Sequence, residues 1–162
     1  MNYEPLNMPD YSDRIRLRKQ DEQLQIFDSI RGKWLILTPE EWVRQNTIIY
    51  ISDTLEAPIA RIANEVGITY NGLTKRCDSI IYDDYGRPLI IIEYKRTDVQ
   101  ITQRVFDQIA TYNMQLQVPY LIVSNGLAHY CCQLDYATRS YRFLRDIPEY
   151  TSIIEDHGEI LK

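Results

Sequence analysis

The sequence lacks the features that define several large classes of protein. No apolar run approaches the roughly 18 residues of a membrane-spanning helix, and the polar, acidic N-terminus lacks the apolar region of a signal peptide. We therefore expect a cytoplasmic protein with no membrane association. Neither GxxxxGK(S/T) nor GxGxxG occurs, so the ordinary nucleotide-phosphate loops are missing.

Histidine and cysteine are too scarce for most metal and disulfide sites. The two histidines, His129 and His157, exclude histidine-rich metal sites and HNH-type chemistry. The three cysteines, Cys77, Cys131 and Cys132, show no CxxC spacing, and their odd number fits no disulfide framework. We interpret them as buried or half-buried free thiols.

Basic residues are outnumbered, with a net charge of −5. Strong unassisted nucleic-acid binding usually shows as a basic excess, so this balance weakens a nucleic-acid role without excluding it. Basic residues nevertheless cluster in three places: Arg14, Arg16, Arg18 and Lys19; Lys75 and Arg76; and Lys95, Arg96 and Arg104. We interpret the first cluster as a solvated face. The other two bracket the acidic residues described below, so they are candidate contacts to a DNA substrate.

What is present indicates one globular domain of 162 residues with ordinary hydrophobic (44%) and charged (25%) fractions. We divide the chain into an N-terminal arm (1–20), a domain (21–145) and a C-terminal tail (146–162) that forms a short helix or is mobile.

The hydrophobic pattern predicts strands and helices in a mixed order. Thr38 and Glu41 form a predicted capping box that starts the first helix, with Pro39 at its first position. An apolar stripe through Ile109 and Tyr112 predicts the second helix. Strands are predicted at residues 23–28, 33–37, 59–70 (a short helix is the alternative), 77–82, 89–94 and 120–124, with an edge hairpin at 129–136 and 140–144; helices are predicted at 38–55 and 100–117. This order predicts an α/β fold with a mixed sheet covered on both faces.

Residues 75–95 are the most informative stretch of the chain. Two apolar runs flank a polar turn, which predicts a β-hairpin. With residues 84–87 as the loop, Tyr82 pairs with Leu89 and Asp78 lies opposite Glu93. Lys95 is two residues beyond Glu93, so it shares the same face. Like charges placed opposite each other are destabilising, and a bound cation is the simplest reason for the arrangement.

These residue types suit metal-assisted hydrolysis. Mg²⁺ takes carboxylate and carbonyl oxygens, often with only one or two acidic side chains. Asp78, Glu93 and the backbone carbonyl of Tyr94 are therefore candidate metal ligands. Lys95 can orient or help to deprotonate a water molecule, or stabilise charge on a phosphate. The alternative is an exposed salt bridge between Lys95 and Glu93 or Asp78, because the spacing D-x₁₄-E-x-K is weak by itself.

The hairpin with Asp78 and Glu93-Tyr94-Lys95 resembles the PD-(D/E)XK nuclease motif. Its surroundings resemble, more narrowly, the N-terminal nuclease domain of type I restriction enzyme R (motor) subunits. The matching segments are LTPEEWVRQ (37–45), KRCDSIIYDDYGRPLIIIEYK (75–95), QIATY (108–112) and VPYLIVSNG (118–126). They occur in the family's order over most of the chain.

The resemblance implies a restriction-endonuclease-like mixed β-sheet flanked by α-helices, with the active site at the forked end of the hairpin. It implies that Asp78 and Glu93 bind the metal and that Lys95 is catalytic. Gln108 and Tyr112 match the family's Q-x-x-x-Y element, which suits positioning of a phosphate. Glu41 resembles the acidic residue that many such nucleases place near the metal.

Three hypotheses follow. The first is an Mg²⁺-dependent DNA endonuclease, with Mn²⁺ as a substitute, in which Lys75, Arg76 and Arg96 contact substrate and other restriction-system subunits are partners. The second is a catalytically silent nuclease-fold module that binds DNA or protein. The third is an enzyme acting on small phosphorylated molecules. R subunits continue into an ATP-driven translocase whose nucleotide motif is missing here, so translocation is not carried over.

Overall fold

The apolar run at residues 89–92 becomes the centre of the protein. A computed structural model describes residues 4–160, with side chains up to residue 156. Its elements are β1 (Leu17–Gln20), β2 (Gln23–Asp28), β3 (Lys33–Ile36), α1 (Pro39–Asp53), a 3₁₀ turn (Ile59–Arg61), β4 (Ile62–Tyr70), β5 (Leu73–Tyr82), β6 (Pro88–Tyr94), α2 (Gln103–Met114), β7 (Tyr120–Ser124), β8 (His129–Asp135), β9 (Ser140–Phe143) and α3 (Tyr150–Ile160).

The main sheet has six strands in the order β4-β5-β6-β7-β8-β9. Strands β6 and β7 are parallel and joined through α2, whereas the other neighbours are antiparallel. A parallel pair needs such a crossover, since a tight turn cannot connect its ends. The predicted mixed α/β sheet is therefore confirmed, with β6 inside it.

Side chains of β6 alternate between two hydrophobic cores. Ile90 and Ile92 pack with residues of α1 and α3, such as Ile51. Ile91 packs on the opposite face with Phe106 of α2. Coverage on both faces explains why this strand is apolar throughout.

Helix α1 begins where the capping residues predict. The side chain of Thr38 accepts a hydrogen bond from the Glu41 backbone N–H at 3.1 Å. The carboxylate of Glu41 does not return a bond to Thr38 among the residues that the structure describes, so only half of the predicted capping box forms. That carboxylate is buried elsewhere, as shown below.

The buried face of α2 differs from the predicted stripe. Phe106, Ala110 and Asn113 are buried, whereas Tyr112 is 52% exposed. The ring of Tyr112 instead contacts Lys75 of β5, whose Nζ lies 3.2 Å from the ring centre.

The first three strands form a separate small sheet, β1-β2-β3. Sequence patterning did not identify β1, which lies within the predicted N-terminal arm. The side chain of Ile26 on β2 is fully buried, so one face of the small sheet packs against the protein.

The tail contains α3, which is one of its two predicted conformations. Tyr150 donates a hydrogen bond to the backbone carbonyl of Tyr82, and Ile153 joins the core beneath α1. Residues 161 and 162 of the predicted tail and 1–3 of the predicted arm lie outside the described residues. Within residues 4–160, no helix has the combination of length and apolar character that a bilayer-spanning segment requires.

The register of the β5–β6 hairpin matches the prediction except beside the turn. Ser79 pairs with Ile92, which is the predicted register, but Tyr82 pairs with Pro88 instead of Leu89. The shift arises at the turn, where the Asp83 carboxylate accepts hydrogen bonds from backbone and side-chain N–H groups of Arg87.

Candidate active site

Strands β5 and β6 separate at the end that carries the predicted acidic residues. Ser79–Ile92 is the last pair of their ladder, and the next two positions in this register are Asp78 and Glu93. The Tyr94 backbone N–H donates instead to Asp78 Oδ2, at 2.9 Å. A carboxylate thus replaces a strand partner at the fork, and this fixes the orientation of Asp78.

Glu93 holds a buried carboxylate oxygen that has no hydrogen-bond partner among the described residues. This atom, Oε1, lies 3.7 Å from Lys75 Nζ. Burial, and then the negative charge of Asp78, raise the pKa of Glu93, whereas the Lys75 and Lys95 cations oppose the change. The structure therefore brings Asp78, Glu93 and Lys95 into one electrostatic cluster.

Two adjacent glutamates of α1, Glu40 and Glu41, lie near this cluster. Glu40 is half-buried, and its pKa is raised by burial and by the charge of Asp78, with Lys95 opposing. Glu41 is buried, and its Oε1 accepts a hydrogen bond from Gln45 Nε2 at 2.8 Å. The predicted catalytic role of Glu41 remains a prediction, and Glu40 is a second candidate that sequence reasoning missed.

Arg44 connects the acidic residues of three elements. Its guanidinium lies 2.6 Å from Glu65 Oε1, 3.7 Å from Glu41 Oε2 and 3.8 Å from Asp78 Oδ1. It also lies 5.5 Å from the centre of the Tyr94 ring. This buried cation offsets part of the negative charge that gathers at the fork.

Lys75 is the least expected member of the site. It is only 2% exposed. Its Nζ donates to Asn113 Oδ1 at 2.8 Å and lies 3.2 Å from the centre of the Tyr112 ring. Burial lowers the pKa of Lys75, and the charge of Glu93 opposes the change. A surface contact between Lys75 and DNA, as the sequence suggested, does not fit this position.

The other predicted substrate contacts lie on the surface. Gln108 and Tyr112 line one shallow groove along α2, together with Arg104. Arg76 is exposed and forms a salt bridge with Glu65 at 2.5 Å. Arg96 is exposed and donates through Nε to Asp98 Oδ1 at 3.0 Å. The substrate roles of Gln108, Tyr112, Arg76 and Arg96 remain predictions.

Three residues of the site, Glu40, Arg44 and Asn113, were not predicted from the sequence, and only the first two had a sequence pattern that could have indicated them. Glu40 and Arg44 are four positions apart in a predicted helix, so they share a face, and this spacing was a usable signal. Asn113 could not be identified in this way, because the predicted apolar stripe assigned a different face of α2 to the core.

The donor set fits a hard divalent cation. Asp78 and Glu93 supply carboxylates beside the Tyr94 backbone, and one buried Glu93 oxygen lacks a hydrogen bond. No group of three or more His, Cys, Asp or Glu side chains suited to a metal occurs within the described part of the chain. Two carboxylates with a carbonyl and water molecules are nonetheless a common arrangement for Mg²⁺.

The mixed sheet flanked by helices defines an α/β protein of restriction-endonuclease-like architecture. A family model described as the type I restriction enzyme R protein N terminus matches residues 39–148, and the chain belongs to this family. The matched range contains both strands of the fork and all of α1 and α2. The chain is therefore a nuclease-like module of the type I restriction system.

One solved structure with a related fold is a fragment of a protein assigned as an HsdR subunit of a type I restriction enzyme from Vibrio vulnificus YJ016. The two share 21% sequence identity with a TM-score of 0.48, and the alignment covers 75% of this chain. The chain spans about a quarter (26%) of the length of that structure. No curated protein matches the chain.

Proposed function

We propose that this protein is an Mg²⁺-dependent endonuclease of the PD-(D/E)XK type that hydrolyses phosphodiester bonds in DNA. The observation that carries the proposal is the buried Oε1 of Glu93, which accepts no hydrogen bond among the described residues and lies near a second carboxylate. Two carboxylates held close together at partly buried positions are costly even with Lys75 and Arg44 nearby, and a bound cation lowers that cost. A divalent cation is the ligand that this chemistry favours.

The proposed roles follow from the positions of the residues. Asp78, Glu93 and the Tyr94 carbonyl would hold Mg²⁺, which supplies charge stabilisation for the phosphate and a more acidic water molecule. Lys95 orients the attacking water or stabilises negative charge on the phosphate. The adjacent Glu40 or Glu41 adds a further carboxylate from α1.

Partners are proposed from the family. The chain belongs to the family described as the type I restriction enzyme R protein N terminus. We therefore propose DNA as substrate and other restriction-system subunits as partners that deliver it. Delivery by partners is consistent with a net charge of −5, which disfavours strong binding to DNA by the whole surface.

Plasmid cleavage tests the chemistry directly. We expect nicking or cutting with Mg²⁺ or Mn²⁺ and none with a chelator. Asp78→Asn, Glu93→Gln and Lys95→Arg should each lower the rate at least about 100-fold, which corresponds to about 2.7 kcal/mol of transition-state stabilisation. Asp146→Asn, which changes an exposed carboxylate far along the chain, serves as the control. Unchanged cleavage in all three site variants would contradict the assignment.

Calorimetric titration of Mg²⁺ into DNA-free protein provides a readout that does not depend on activity. Binding heat should vanish in Glu93→Gln and persist in Asp146→Asn. Glu40→Gln and Glu41→Gln, compared in the same assay, identify which neighbouring glutamate reaches the metal. A protein that binds neither Mg²⁺ nor Mn²⁺ and cuts nothing would instead be the silent module.

A further inference from the structure

The small sheet has one face that carries arginines, glutamine and aromatic rings. Strand pairing places Arg18 beside Gln25 and Phe27 beside Trp34, and the neighbouring Gln25 pairs with Ile36. We call this surface the arginine face; it consists of Arg16, Arg18, Gln25, Phe27, Trp34 and Ile36. None of these residues is acidic, and the buried Ile26 and Asp28 alternate with them on the opposite side.

Both arginines lie over aromatic rings of the same face. The guanidinium carbon of Arg16 lies 3.5 Å from the centre of the Phe27 ring. That of Arg18 lies 4.4 Å from the centre of the Trp34 ring, and its Nε donates to Gln25 Oε1 at 2.7 Å. Stacking restricts the side chains before any ligand arrives, so less conformational entropy is lost on binding.

The charge of these two arginines is not neutralised. Arg14, Arg61 and Arg87 are examples of arginines that pair with carboxylates. Within residues 4–156, by contrast, neither Arg16 nor Arg18 lies within salt-bridge distance of a carboxylate. The arginine face is thus a local cationic surface on a chain whose net charge is −5. The sequence had suggested only a solvated run of charge here.

The small sheet adjoins the candidate active site. Leu24 of β2, which alternates with Gln25 and so faces away from the arginine face, lines a cavity of about 450 Å³ together with Leu37. The lining of that cavity also includes Arg96, Thr97 and Asp98, the residues directly after Lys95. The small sheet is therefore a neighbour of the segment that follows the proposed catalytic lysine.

We infer that the arginine face binds the sugar–phosphate backbone of the DNA duplex that the candidate active site acts on. The inference rests on the proposed function for its choice of polyanion. Planar guanidinium groups match phosphate oxygens, and contact with the backbone needs no base sequence. We do not expect DNA bases to stack on Phe27 or Trp34, because the guanidinium groups of Arg16 and Arg18 already lie over these rings.

Fluorescence anisotropy with a labelled duplex in the presence of a chelator tests this binding without any cleavage. Arg16→Gln with Arg18→Gln should weaken binding about tenfold or more near 0.1 M salt. The slope of log K against log salt should fall by about 2, roughly 1 for each lost phosphate contact. The charge-conserving pair Arg16→Lys with Arg18→Lys should retain most of the slope.

The matched control is Arg142→Gln with Arg145→Gln, which makes the same change in net charge at the far edge of the main sheet. Arg142 also donates to a glutamine, Gln133, so its local chemistry resembles that of Arg18. Equal losses in the two double variants, or no duplex binding by the folded wild-type protein, would overturn the inference. Binding that depends on the arginine face in a protein that cuts nothing would support the inference while contradicting the proposed nuclease activity.

Discussion

At the scale of single residues, the site depends on a buried cation that faces a buried acid. Lys75 Nζ lies 3.7 Å from an otherwise unpaired oxygen of Glu93. Replacing one member of such a pair leaves the other charge buried and uncompensated, which is far costlier than replacing both. The stability of the metal-free site therefore depends on the two residues jointly.

A double-mutant cycle measures this dependence. We expect Lys75→Met to lower the free energy of unfolding by about 3 kcal/mol, because Glu93 and Asn113 both lose their partner. In a Glu93→Gln background, we expect Lys75→Met to destabilise the protein by at least about 1 kcal/mol less than it does in the wild-type protein. Urea unfolding without metal provides the measurement. A cost that is identical in both backgrounds would mean that the two side chains are not coupled.

The sequence predicted one part of this site and could not predict another. The strand pleat alone brought Asp78, Glu93 and Lys95 together, because the spacing of side chains along paired strands is fixed. The burial of Lys75 and Arg44 was not predictable from the same rules. A charged side chain is normally exposed, and only its tertiary partners decide otherwise.

At the scale of elements, a chain of buried hydrogen bonds ties the small sheet to the fork. Asp28 on β2 accepts from Asn64 on β4 at 3.0 Å, and Asn64 accepts from Ser79 on β5 at 2.6 Å. Ser79 in turn accepts from the hydroxyl of Tyr94 on β6 at 3.0 Å. The small sheet that carries the arginine face is therefore anchored to the strands that carry the proposed metal ligands.

The pH dependence of stability tests this anchor. Burial opposes ionisation of Asp28, but hydrogen bonds from the Arg31 backbone, Asn64 and the Arg31 side chain outweigh it and lower its pKa. A lowered folded pKa stabilises the protein above the unfolded value of about 3.9, and this contribution is lost as the pH falls through the folded value.

Asp28→Asn should therefore be less stable than wild type at pH 7, by about 2 kcal/mol. The difference should begin to shrink below about pH 4, where the unfolded chain takes up the proton, and should be lost as the pH falls through the lower folded pKa. Thermal or urea unfolding across this range checks both points, with the exposed Asp13→Asn as the control. A constant difference at every pH would rule out the charge of Asp28 as the cause.

The strands and their pairing show which features hydrophobic periodicity can predict and which it cannot. Strand β7 and the central register were predicted, because buried apolar runs and the pleat are local properties. The bulge at Leu89 arises from hydrogen bonds to the Asp83 side chain, and β1 is exposed along its length. Neither leaves a hydrophobic pattern in the sequence, and patterning therefore missed both.

At the scale of the whole molecule, the cysteines report on both hydrophobic cores. Cys131 lies in the core beside α1, whereas Cys77 and Cys132 lie in the core beside α2. All three are buried free thiols, as predicted. Burial raises the pKa of Cys77 to about 11 and those of Cys131 and Cys132 to about 12.

Thiol labelling should therefore measure global unfolding. We expect no fast-reacting thiol at neutral pH in the folded protein, because the thiolate is the reactive form and all three side chains are shielded. Ile91→Ala, which removes fully buried volume from β6, should destabilise the protein by about 3 kcal/mol. Labelling should accelerate by the factor expected from that loss of stability. One cysteine that reacts early would reveal local opening of its core.

The bond between the Tyr94 N–H and Asp78 has a consequence for when the protein can act. The acid is oriented by the strand end that also carries the other proposed ligands, so the site is completed only when the hairpin closes. An unfinished or unravelled chain keeps Asp78 and Glu93 apart. In the proposed enzyme, competence for hydrolysis is thereby linked to closure of this hairpin.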